Sequence, residues 1–266
     1  MEANLSGRNQ TVAEQLQAFE GQLLGLIPAD RIKAVDFQRP SPEIVERYRR
    51  LPDLTSSIAD ILDQFGVDSA IPTTLLAPIA PGQRMVGPAV TVKHGPARFN
   101  AGYNVANKTT PQLGAVDEVT LSQAGDVMVI DGSAVPAASN LGGIMATAVA
   151  AKGFAGVVVD GCVRDVENMK RMGLPVWARG ATPRTGKHRM ELVEFNGKVD
   201  VAGVQVVPGD LVLGDSDGVI IVPLDLCEEV LVRAEKVAEK EKALLGAIEA
   251  GASAQESASI ISPDKW

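Results

Sequence analysis

The feature that most constrains the fold is an alternation, in the middle of the chain, of short apolar runs with helix-like segments. The runs DVMVID, AGVVVD and PVWARG predict strands at 126–131, 155–160 and 175–180. The segments between them, 141–153 and 166–173, have the length and composition of helices. Strands of continuous Val and Ile that alternate with helices are typical of a parallel sheet covered on both faces. The middle of the chain is therefore predicted to form an α/β fold with right-handed crossovers.

Regular structure is also predicted on both sides of this region. The further predicted elements are helices at 12–27, 41–51, 55–66 and 224–250, a strand at 89–93 and antiparallel strands within 199–223. Thr55 or Ser56 is the expected cap of the helix that follows. We divide the chain into a helical N-terminal extension (1–52), a catalytic domain (53–250) and a flexible tail (251–266). The N-terminal helices are expected to serve subunit packing rather than chemistry.

Composition narrows the classes of function. The formal net charge of −8 disfavours a nucleic-acid partner, because such proteins usually carry a basic patch. No apolar stretch reaches the roughly 20 residues needed to span a bilayer, and the polar N-terminus lacks the apolar core of a signal peptide. We therefore expect a cytoplasmic protein without a membrane partner. Cys162 and Cys227 are expected to be reduced residues with structural roles.

Several common cofactor and hydrolase motifs are missing from the sequence. It contains no GxGxxG after a strand, no GxxxxGK[ST], no HExxH and no GxSxG. Nicotinamide and ATP chemistry are therefore unsupported. The two histidines, His94 and His188, lie in loop-like contexts and are interpreted as structural or solvent-exposed residues.

A pair of neighbouring residues, Arg164 and Asp165, follows the apolar run that begins at residue 155. In an open parallel sheet, ligands bind beyond the carboxyl ends of the strands, and Asp160 and Gly161 are expected at the same end. One interpretation is structural, because Asp165 could cap the helix that starts after it. The other is functional: Asp165 supplies an oxygen ligand to Mg²⁺ or Mn²⁺, and the planar Arg164 guanidinium meets a carboxylate or a developing enolate.

A second element supports the functional interpretation. The sequence SNLGGIMA opens a helix after a strand, so the backbone N–H groups near Gly142, Gly143, Ile144 and Met145 are free to bind an anion. An anion site, a cation and an arginine at neighbouring strand ends suit a 2-oxo acid. These four residues together with Arg164 are the predicted substrate-binding set.

Two further groups are weaker candidates. Asp215 and Asp217, in DSDG, are better explained by turn formation than by metal binding. Lys187, His188 and Arg189 could contact an anionic substrate, although a solvated loop is the favoured interpretation.

The segment 140–180 resembles the class II pyruvate aldolases that act on 4-hydroxy-4-methyl-2-oxoglutarate and 4-carboxy-4-hydroxy-2-oxoadipate, a family that includes the regulator of ribonuclease activity A. The segments 208–223 and 55–67 resemble other recurring parts of that family, and the similarity covers about residues 55–245. Its most specific element is a glycine, a fixed gap and then Arg–Asp.

The resemblance implies a fold, an assembly and a set of roles. The implied fold is an α-β-β-α layered, swivelling-domain-like α/β fold, and the implied assembly is a trimer or hexamer with sites between subunits. Asp165 would bind the divalent metal directly or through water, and Arg164 would stabilise the pyruvate enolate. The amides of Ile144 and Met145 would hold the substrate carboxylate. The implied activity is retro-aldol release of pyruvate, or decarboxylation of oxaloacetate, from a metal-stabilised enolate.

Two positions depart from the aldolase pattern and keep alternatives open. Gly143 stands where aldolases carry an acid, and Asn168 stands where a second acid is usual. Glu167 cannot replace that acid, because one residue is about 100° around a helix. The favoured function is a metal-dependent lyase for a small 2-oxo acid. A hydrolase or other lyase on the same metal site is the alternative, and a non-catalytic ribonuclease regulator is least favoured because Asp165 is present.

Overall fold

A computed structural model describes residues 11–262 of the chain. Its strands are β1 Ala70–Pro72, β2 Ala77–Pro78, β3 Met85–Pro96, β4 Val127–Asp131, β5 Ser139–Leu141, β6 Gly156–Val163, β7 Val176–Ala181, β8 Met190–Phe195, β9 Val199–Val201, β10 Val204–Val206, β11 Leu211–Gly214 and β12 Gly218–Val222. Its α-helices are α1 Val12–Gln17, α2 Pro42–Arg49, α3 Thr55–Asp63, α4 Ala101–Ala106, α5 Val116–Thr120, α6 Gly143–Lys152, α7 Val166–Met172, α8 Cys227–Glu249 and α9 Ala254–Ile260, and short 3₁₀ turns lie at Ala29–Arg31 and Leu224–Leu226.

The centre of the fold is the predicted parallel sheet. Strands β3, β4, β6 and β7 lie side by side in that order, and each neighbouring pair is parallel. The long strand β3 also joins a second, antiparallel group, because its first residues pair with β11 while its later residues pair with β4. In that second group β11 pairs with β12 and β12 pairs with β1. The α/β class and the antiparallel character of 199–223 are confirmed.

Helices α6 and α7 cover one face of the parallel strands. Met128 and Ile130 of β4 pack in one apolar cluster with Val149 of α6. Their neighbours Val127 and Val129 belong to a different cluster, on the opposite face. Successive side chains of a strand point to opposite sides, so a strand that is apolar at every position must be covered twice. Coverage of the strands on both faces explains the continuous Val and Ile runs in the sequence.

The antiparallel strands form the next layer. Val219 and Ile221 of β12 belong to the cluster between the two sheets. Ile220 and Val222 face the other way and pack with Leu231 of α8. The layers are therefore helices α6 and α7, the parallel sheet, the antiparallel strands, and helices α2, α3 and α8. The predicted α-β-β-α arrangement is confirmed.

Some element boundaries differ from the sequence prediction. The helix predicted at 12–27 ends at Gln17, because Gly21 and Gly25 adopt left-handed backbone conformations that break it. The strand predicted to end at residue 160 continues to Val163, where pairing with β7 resumes after a register shift. Strand β8 was not predicted; it pairs with the end of β3.

Part of the predicted tail is helical. Residues 254–260 form helix α9, which packs on α8 and begins with a capping box between Ser253 and Glu256. Ser257 of this helix is buried. Residues 263–266 of the predicted tail, like residues 1–10 of the predicted extension, lie outside the described residues. None of the helices found between residues 11 and 262 is both long and apolar enough to cross a lipid bilayer.

The part of the N-terminal extension that the structure describes packs on its own chain. Ile27, Ile32 and Val35 are buried in the cluster beside α6 and α7. The segment is also held by polar contacts, because the buried Asp117 carboxylate of α5 accepts the backbone N–H groups of Leu24 and Leu26 at 2.8 and 2.6 Å. This segment therefore covers the edge of the fold where α5 and α6 lie.

Candidate active site

The N-terminus of α6 provides backbone donors at the end of a strand. Gly142 adopts an extended conformation directly after β5 and caps the helix. The first intrahelical bond runs from the Ala146 N–H to the Gly142 carbonyl, at 2.9 Å. The N–H groups of Ile144 and Met145 precede that bond, so the helix itself does not use them. They are available to an anion at the positive end of the helix, as the sequence predicts.

The Asp165 carboxylate occupies the third predicted donor. Its Oδ2 atom accepts the Gly143 N–H at 2.8 Å. Asp165 has φ of 62° and ψ of 37°, a left-handed conformation that non-glycine residues rarely adopt. This turn directs the carboxylate back to α6. The predicted cap on α7 is not formed: within residues 11–262 the Asp165 side chain accepts no capping hydrogen bond from that helix. The predicted anion site thus retains the amides of residues 144 and 145.

Arg164 lies against the same helix end. Its backbone N–H donates to the Leu141 carbonyl at 2.9 Å, which fixes the end of β6 beside β5. A Cβ atom at Gly142 would stand 2.9 Å from the Arg164 Nε atom, so glycine gives the side chain its place. The Nε atom is 3.9 Å from Asp165 Oδ2, and both side chains are partly exposed. The pair is therefore solvent-accessible where it faces the helix amides.

A cavity of about 410 Å³ opens at this place. Arg164, Gly142, Ile144 and Met145 are among the residues that line it. The wall formed by other segments is largely apolar; it includes Leu26, Leu113, Val116 and Pro111. Such a cavity, mostly apolar with a few polar groups, is typical of a small-molecule site.

Three polar residues missed in the sequence also line the cavity. They are His94 at the end of β3, Glu118 on α5 and Asn140 on β5. His94 Nδ1 is 3.2 Å from Asn140 Oδ1, and His94 Nε2 is 3.8 Å from Glu118 Oε1. His94 could have been found, because it follows the predicted strand at 89–93 and so stands near a carboxyl end of the parallel sheet. Glu118 and Asn140 had no such signal.

The two departures from the aldolase pattern lie together at the start of α6. A Cβ atom at Gly143 would stand 3.1 Å from Asp165 Oδ2 and 3.2 Å from Asn168 Nδ2. Asn168 in turn accepts a long hydrogen bond of 3.5 Å from Arg171. Glu167 points elsewhere, since its carboxylate pairs with Lys170 at 3.0 Å and is 76% exposed. Glu167 does not take the place of the missing acid, as expected.

The weaker candidates have mostly structural contacts. Asp160 accepts hydrogen bonds from the Arg179 side chain and the Ala202 N–H. Asp215 accepts the N–H and the hydroxyl of Thr55, at 3.0 and 2.7 Å. The sequence suggested Thr55 or Ser56 as the cap of this helix, but Thr55 is already the first residue of α3.

The remaining candidates are Asp217 and the loop residues Lys187, His188 and Arg189. Asp217 accepts the Ser56 hydroxyl at 3.0 Å, and its N–H donates to Asp215, which confirms the turn interpretation. Lys187 lines the cavity, whereas His188 lines a neighbouring depression. Arg189 donates to the Thr185 carbonyl at 3.3 Å.

The donor set around Asp165 fits a hydrated divalent cation. Within the described part of the chain, no group of three or more His, Cys, Asp or Glu side chains is arranged to hold a metal. A zinc site needs three or four such ligands. Mg²⁺ instead keeps several waters and often uses one or two carboxylates, and the 43% exposed Asp165 side chain meets that requirement. The residues present therefore fit Mg²⁺ or Mn²⁺ on a single carboxylate.

Comparison with protein families and curated proteins gives matches over most of the chain. The family described as RraA-like, aldolase/RraA, matches residues 55–221. A protein of Halalkalibacterium halodurans, provisionally named a 4-hydroxy-4-methyl-2-oxoglutarate aldolase, is 32% identical over 73% of this chain and 83% of its own length. An uncharacterised protein of Methanocaldococcus jannaschii is 41% identical over 101 residues, which are 38% of this chain. The alignment spans about half (48%) of that relative's length.

A solved structure agrees with the fold. The crystal structure of RraAS2 of Streptomyces coelicolor, described as an unusual member of the RNase ES inhibitor RraA family, superimposes with a TM-score of 0.66. It is 26% identical in sequence, and the superposition covers 78% of this chain and 98% of that one. The layered arrangement is thus shared with a protein of this type along nearly its whole length.

Proposed function

This chain belongs to the aldolase/RraA family, and we propose that it is a divalent-metal-dependent lyase that cleaves a carbon–carbon bond of a small 2-oxo acid. The observation that carries the proposal is the meeting of Arg164 and the free amides of α6 in one cavity, with Asp165 beside them. A 2-oxo acid offers a carboxylate and an adjacent carbonyl oxygen. The site offers one anion-binding group for each of these.

The helix amides, Arg164 and Asp165 each have a separate role in the proposed reaction. The amides of Ile144 and Met145 bind the substrate carboxylate at the positive end of α6. The Arg164 guanidinium donates to the 2-oxo oxygen, whose negative charge grows as the enolate forms, so this contact is strongest in the transition state. Asp165 would hold a divalent metal, which supplies Lewis-acid polarisation of the 2-oxo group. The Gly143 N–H keeps the Asp165 carboxylate in place.

The same enolate can arise from two substrates. In a retro-aldol reaction the 4-hydroxyl loses its proton, the C3–C4 bond breaks, and its electron pair passes into the enolate of pyruvate. In oxaloacetate the breaking bond releases carbon dioxide and leaves the same enolate. Protonation at C3 completes both reactions. The name of the H. halodurans relative supports the retro-aldol substrate class.

A second candidate function keeps the site and changes the reaction. Gly143 and Asn168 leave the metal region without the two acids usual in aldolases, which favours a hydrolase or another lyase if proton transfer has no other source. A regulator of a ribonuclease is the third candidate, supported by the similarity to the S. coelicolor protein of the RNase ES inhibitor RraA family. A cavity with polar groups next to Asp165 is not needed for that role.

We also propose that the protein assembles into trimers or hexamers with sites between subunits. Ile144, at the edge of the cavity, is 87% exposed on the single chain. A neighbouring subunit would cover this side chain and close the cavity, which would strengthen the electrostatic contacts inside it.

The test is pyruvate release from 4-hydroxy-4-methyl-2-oxoglutarate and from oxaloacetate, with Mg²⁺ or Mn²⁺ and after EDTA treatment. We expect metal-dependent turnover of at least one substrate. Arg164→Met should lower kcat/KM about 10²–10³-fold, since a donor to the developing negative charge is lost. Asp165→Asn should abolish the stimulation by metal.

The matched control is Arg50→Met, because Arg50 directly follows α2, its side chain is 74% exposed, and its one ion pair among the described contacts is with Glu46. It should retain full activity. Sedimentation equilibrium on the same preparation measures the assembly state. Absence of pyruvate from both substrates with either metal would contradict the proposed function.

A further inference from the structure

His94, Glu118 and Asn140 form a buried polar group at the cavity, called here the His94 cluster. Their exposed fractions are 3%, 2% and 8%. They come from three different elements, β3, α5 and β5. All three residues line the cavity that Arg164 also lines.

The cluster is incompletely satisfied. The ring of His94 has one partner, Asn140 Oδ1, at 3.2 Å from Nδ1. Its other nitrogen, Nε2, is 3.8 Å from Glu118 Oε1, which is too long for a hydrogen bond. Within the described residues, His94 Nε2, Glu118 Oε1 and Asn140 Nδ2 are all buried atoms without a hydrogen-bond partner. Buried polar atoms are nearly always paired in native proteins, so a group of three needs an explanation.

Packing fixes the cluster in this arrangement. A Cβ atom at Gly132 would stand 2.5 Å from the Asn140 amide nitrogen, and one at Gly161 would also collide with it. The two glycines thus form a slot that holds the Asn140 side chain. With its oxygen on His94, Asn140 accepts a hydrogen bond from Nδ1–H, and in this tautomer the lone pair of the neutral ring lies on Nε2, the atom that faces Glu118.

A hydroxyl group can donate its one hydrogen bond to the Nε2 lone pair, at the usual length of about 2.8 Å. The Glu118 carboxylate beside Nε2 then stabilises the positive charge that the ring gains when it takes the proton. The hydroxyl that reaches His94 Nε2 must belong to a molecule bound in the cavity. The same cavity contains Arg164 and the α6 amides, where the 2-oxo acid end of a substrate would bind. A hydroxyl two carbons from the 2-oxo group is the group that a retro-aldol reaction must deprotonate.

We propose that His94 is the general base of this site and takes the proton of the substrate's 4-hydroxyl, a step that rests on the proposed lyase function. The O–H electron pair becomes the second C4–O bond, the C3–C4 bond breaks, and its pair forms the enolate that Arg164 receives. Nε2 then returns the proton to C3. Glu118 stabilises the imidazolium between the two transfers, and Asn140 is a positioning residue that holds the ring.

This assignment accounts for the two missing acids. His94 belongs to β3, whereas Gly143 belongs to α6 and Asn168 to α7, so proton transfer by His94 does not use acids at the latter two positions. The charged side chains that line the cavity with His94 are Glu118, Arg164 and Lys187. Of these three side chains, Glu118 lies against the ring, with its Oε1 atom 3.8 Å from His94 Nε2.

The experiment separates base catalysis from enolate formation. Decarboxylation of oxaloacetate begins from an ionised carboxylate, needs no base, and ends with an enolate that takes its C3 proton from water. Aldol cleavage needs a base to remove the 4-hydroxyl proton. His94→Gln should therefore lower kcat for cleavage of 4-hydroxy-4-methyl-2-oxoglutarate about 100-fold and leave oxaloacetate decarboxylation within about threefold of the unmodified protein. Glu118→Gln, which keeps the shape of the side chain, should change the two activities in the same unequal way.

The control is His188→Gln, the same substitution at the other histidine, which lies outside the cavity. It should leave both activities unchanged. Circular dichroism and thermal melting check the folding of each variant, and Glu118→Gln decides the matter if His94→Gln does not fold. Equal loss of both activities, or loss of neither, overturns the role of His94. If the unmodified protein turns over neither substrate, the lyase function itself fails and this inference with it.

Discussion

Asp165 shows how one residue conformation can organise a site. A left-handed backbone costs a non-glycine residue roughly 1–2 kcal/mol, and Asp tolerates it better than most. At Asp165 this conformation directs the carboxylate to the Gly143 N–H and leaves Arg164 beside Gly142. Residues held in sparsely populated conformations are common at functional sites. The Arg–Asp pair was found from the sequence, but the contact with α6 was not.

At the residue scale, the two cysteines give a prediction about reactivity. Burial raises the pKa of Cys227 to about 12 and also raises the pKa of Cys162 above its usual value. The thiolate is the reactive form, so at pH 8 both thiols remain protonated in the folded protein. We expect slow labelling by a disulfide reagent at pH 8, and rapid labelling of two thiols per chain in denaturant. Fast labelling of folded protein would show that Cys162 is reactive.

At the element scale, the start of α8 is joined to α2 by one buried hydrogen bond. The fully buried Tyr48 donates its hydroxyl to the Cys227 carbonyl at 2.8 Å. Arg47 and Glu235 pair across the same two helices at 2.6 Å, but in a more exposed place. Burial raises the pKa of Tyr48, so its hydroxyl remains a donor at all ordinary pH values.

Tyr48→Phe should therefore lower the free energy of unfolding by about 1–2 kcal/mol, because a buried carbonyl loses its donor. Urea denaturation measures the effect. Tyr103→Phe is the matched control, since Tyr103 is the other tyrosine of the chain and is 48% exposed. Surface substitutions of this kind usually stay within about 0.5 kcal/mol. An equal effect in the two variants would mean that the Tyr48 hydroxyl does not stabilise the contact.

The ends of a helix could be predicted where its apolar periodicity is strong, but not where a turn or a capping residue sets the end. Helix α8 was predicted at 224–250 and is found at Cys227–Glu249. Helix α1 was predicted too long, because its apolar spacing continues past Gly21 while the backbone does not. Helix α9 was missed because its residues are small and its start depends on the Ser253 capping box.

At the scale of the whole molecule, the N-terminal segment is held to the body by an ion pair. Arg39 donates from Nε and Nη2 to both oxygens of Asp126, at 2.8 and 2.9 Å. The Asp126 side chain is fully buried and that of Arg39 is 13% exposed. A buried carboxylate is expensive without its partner, and such bidentate pairs are strong.

Arg39→Met keeps the aliphatic part of the side chain and removes the charge. We expect it to lower the free energy of unfolding by about 3–5 kcal/mol, because Asp126 is left buried without its cation. Arg50→Met serves as control; its exposed i,i+4 pair should contribute no more than about 0.5 kcal/mol. Urea denaturation of both variants checks this. A change under 1 kcal/mol for Arg39→Met would mean that water solvates Asp126 once the segment loosens.

The sequence by itself determined the parallel sheet with its helices and the position of the Arg–Asp pair, while the α-β-β-α layering was implied by the resemblance to the aldolase family. The apolar runs, the alternation of strands with helices, and the rule that sites lie at the carboxyl ends of parallel strands are local or pairwise properties that a sequence records directly. The roles of Arg164 and Asp165 stay predictions until activity is measured.

Only the tertiary structure decided what surrounds that pair. Glu118 comes within 3.8 Å of His94 because α5 packs on α6, and α5 itself is held through Asp117, whose contact with Leu24 joins residues 93 positions apart. Contacts of this kind depend on how the layers and the N-terminal segment close over one another. Periodicity within one element cannot encode them, because it specifies which face is buried and not which residue covers it.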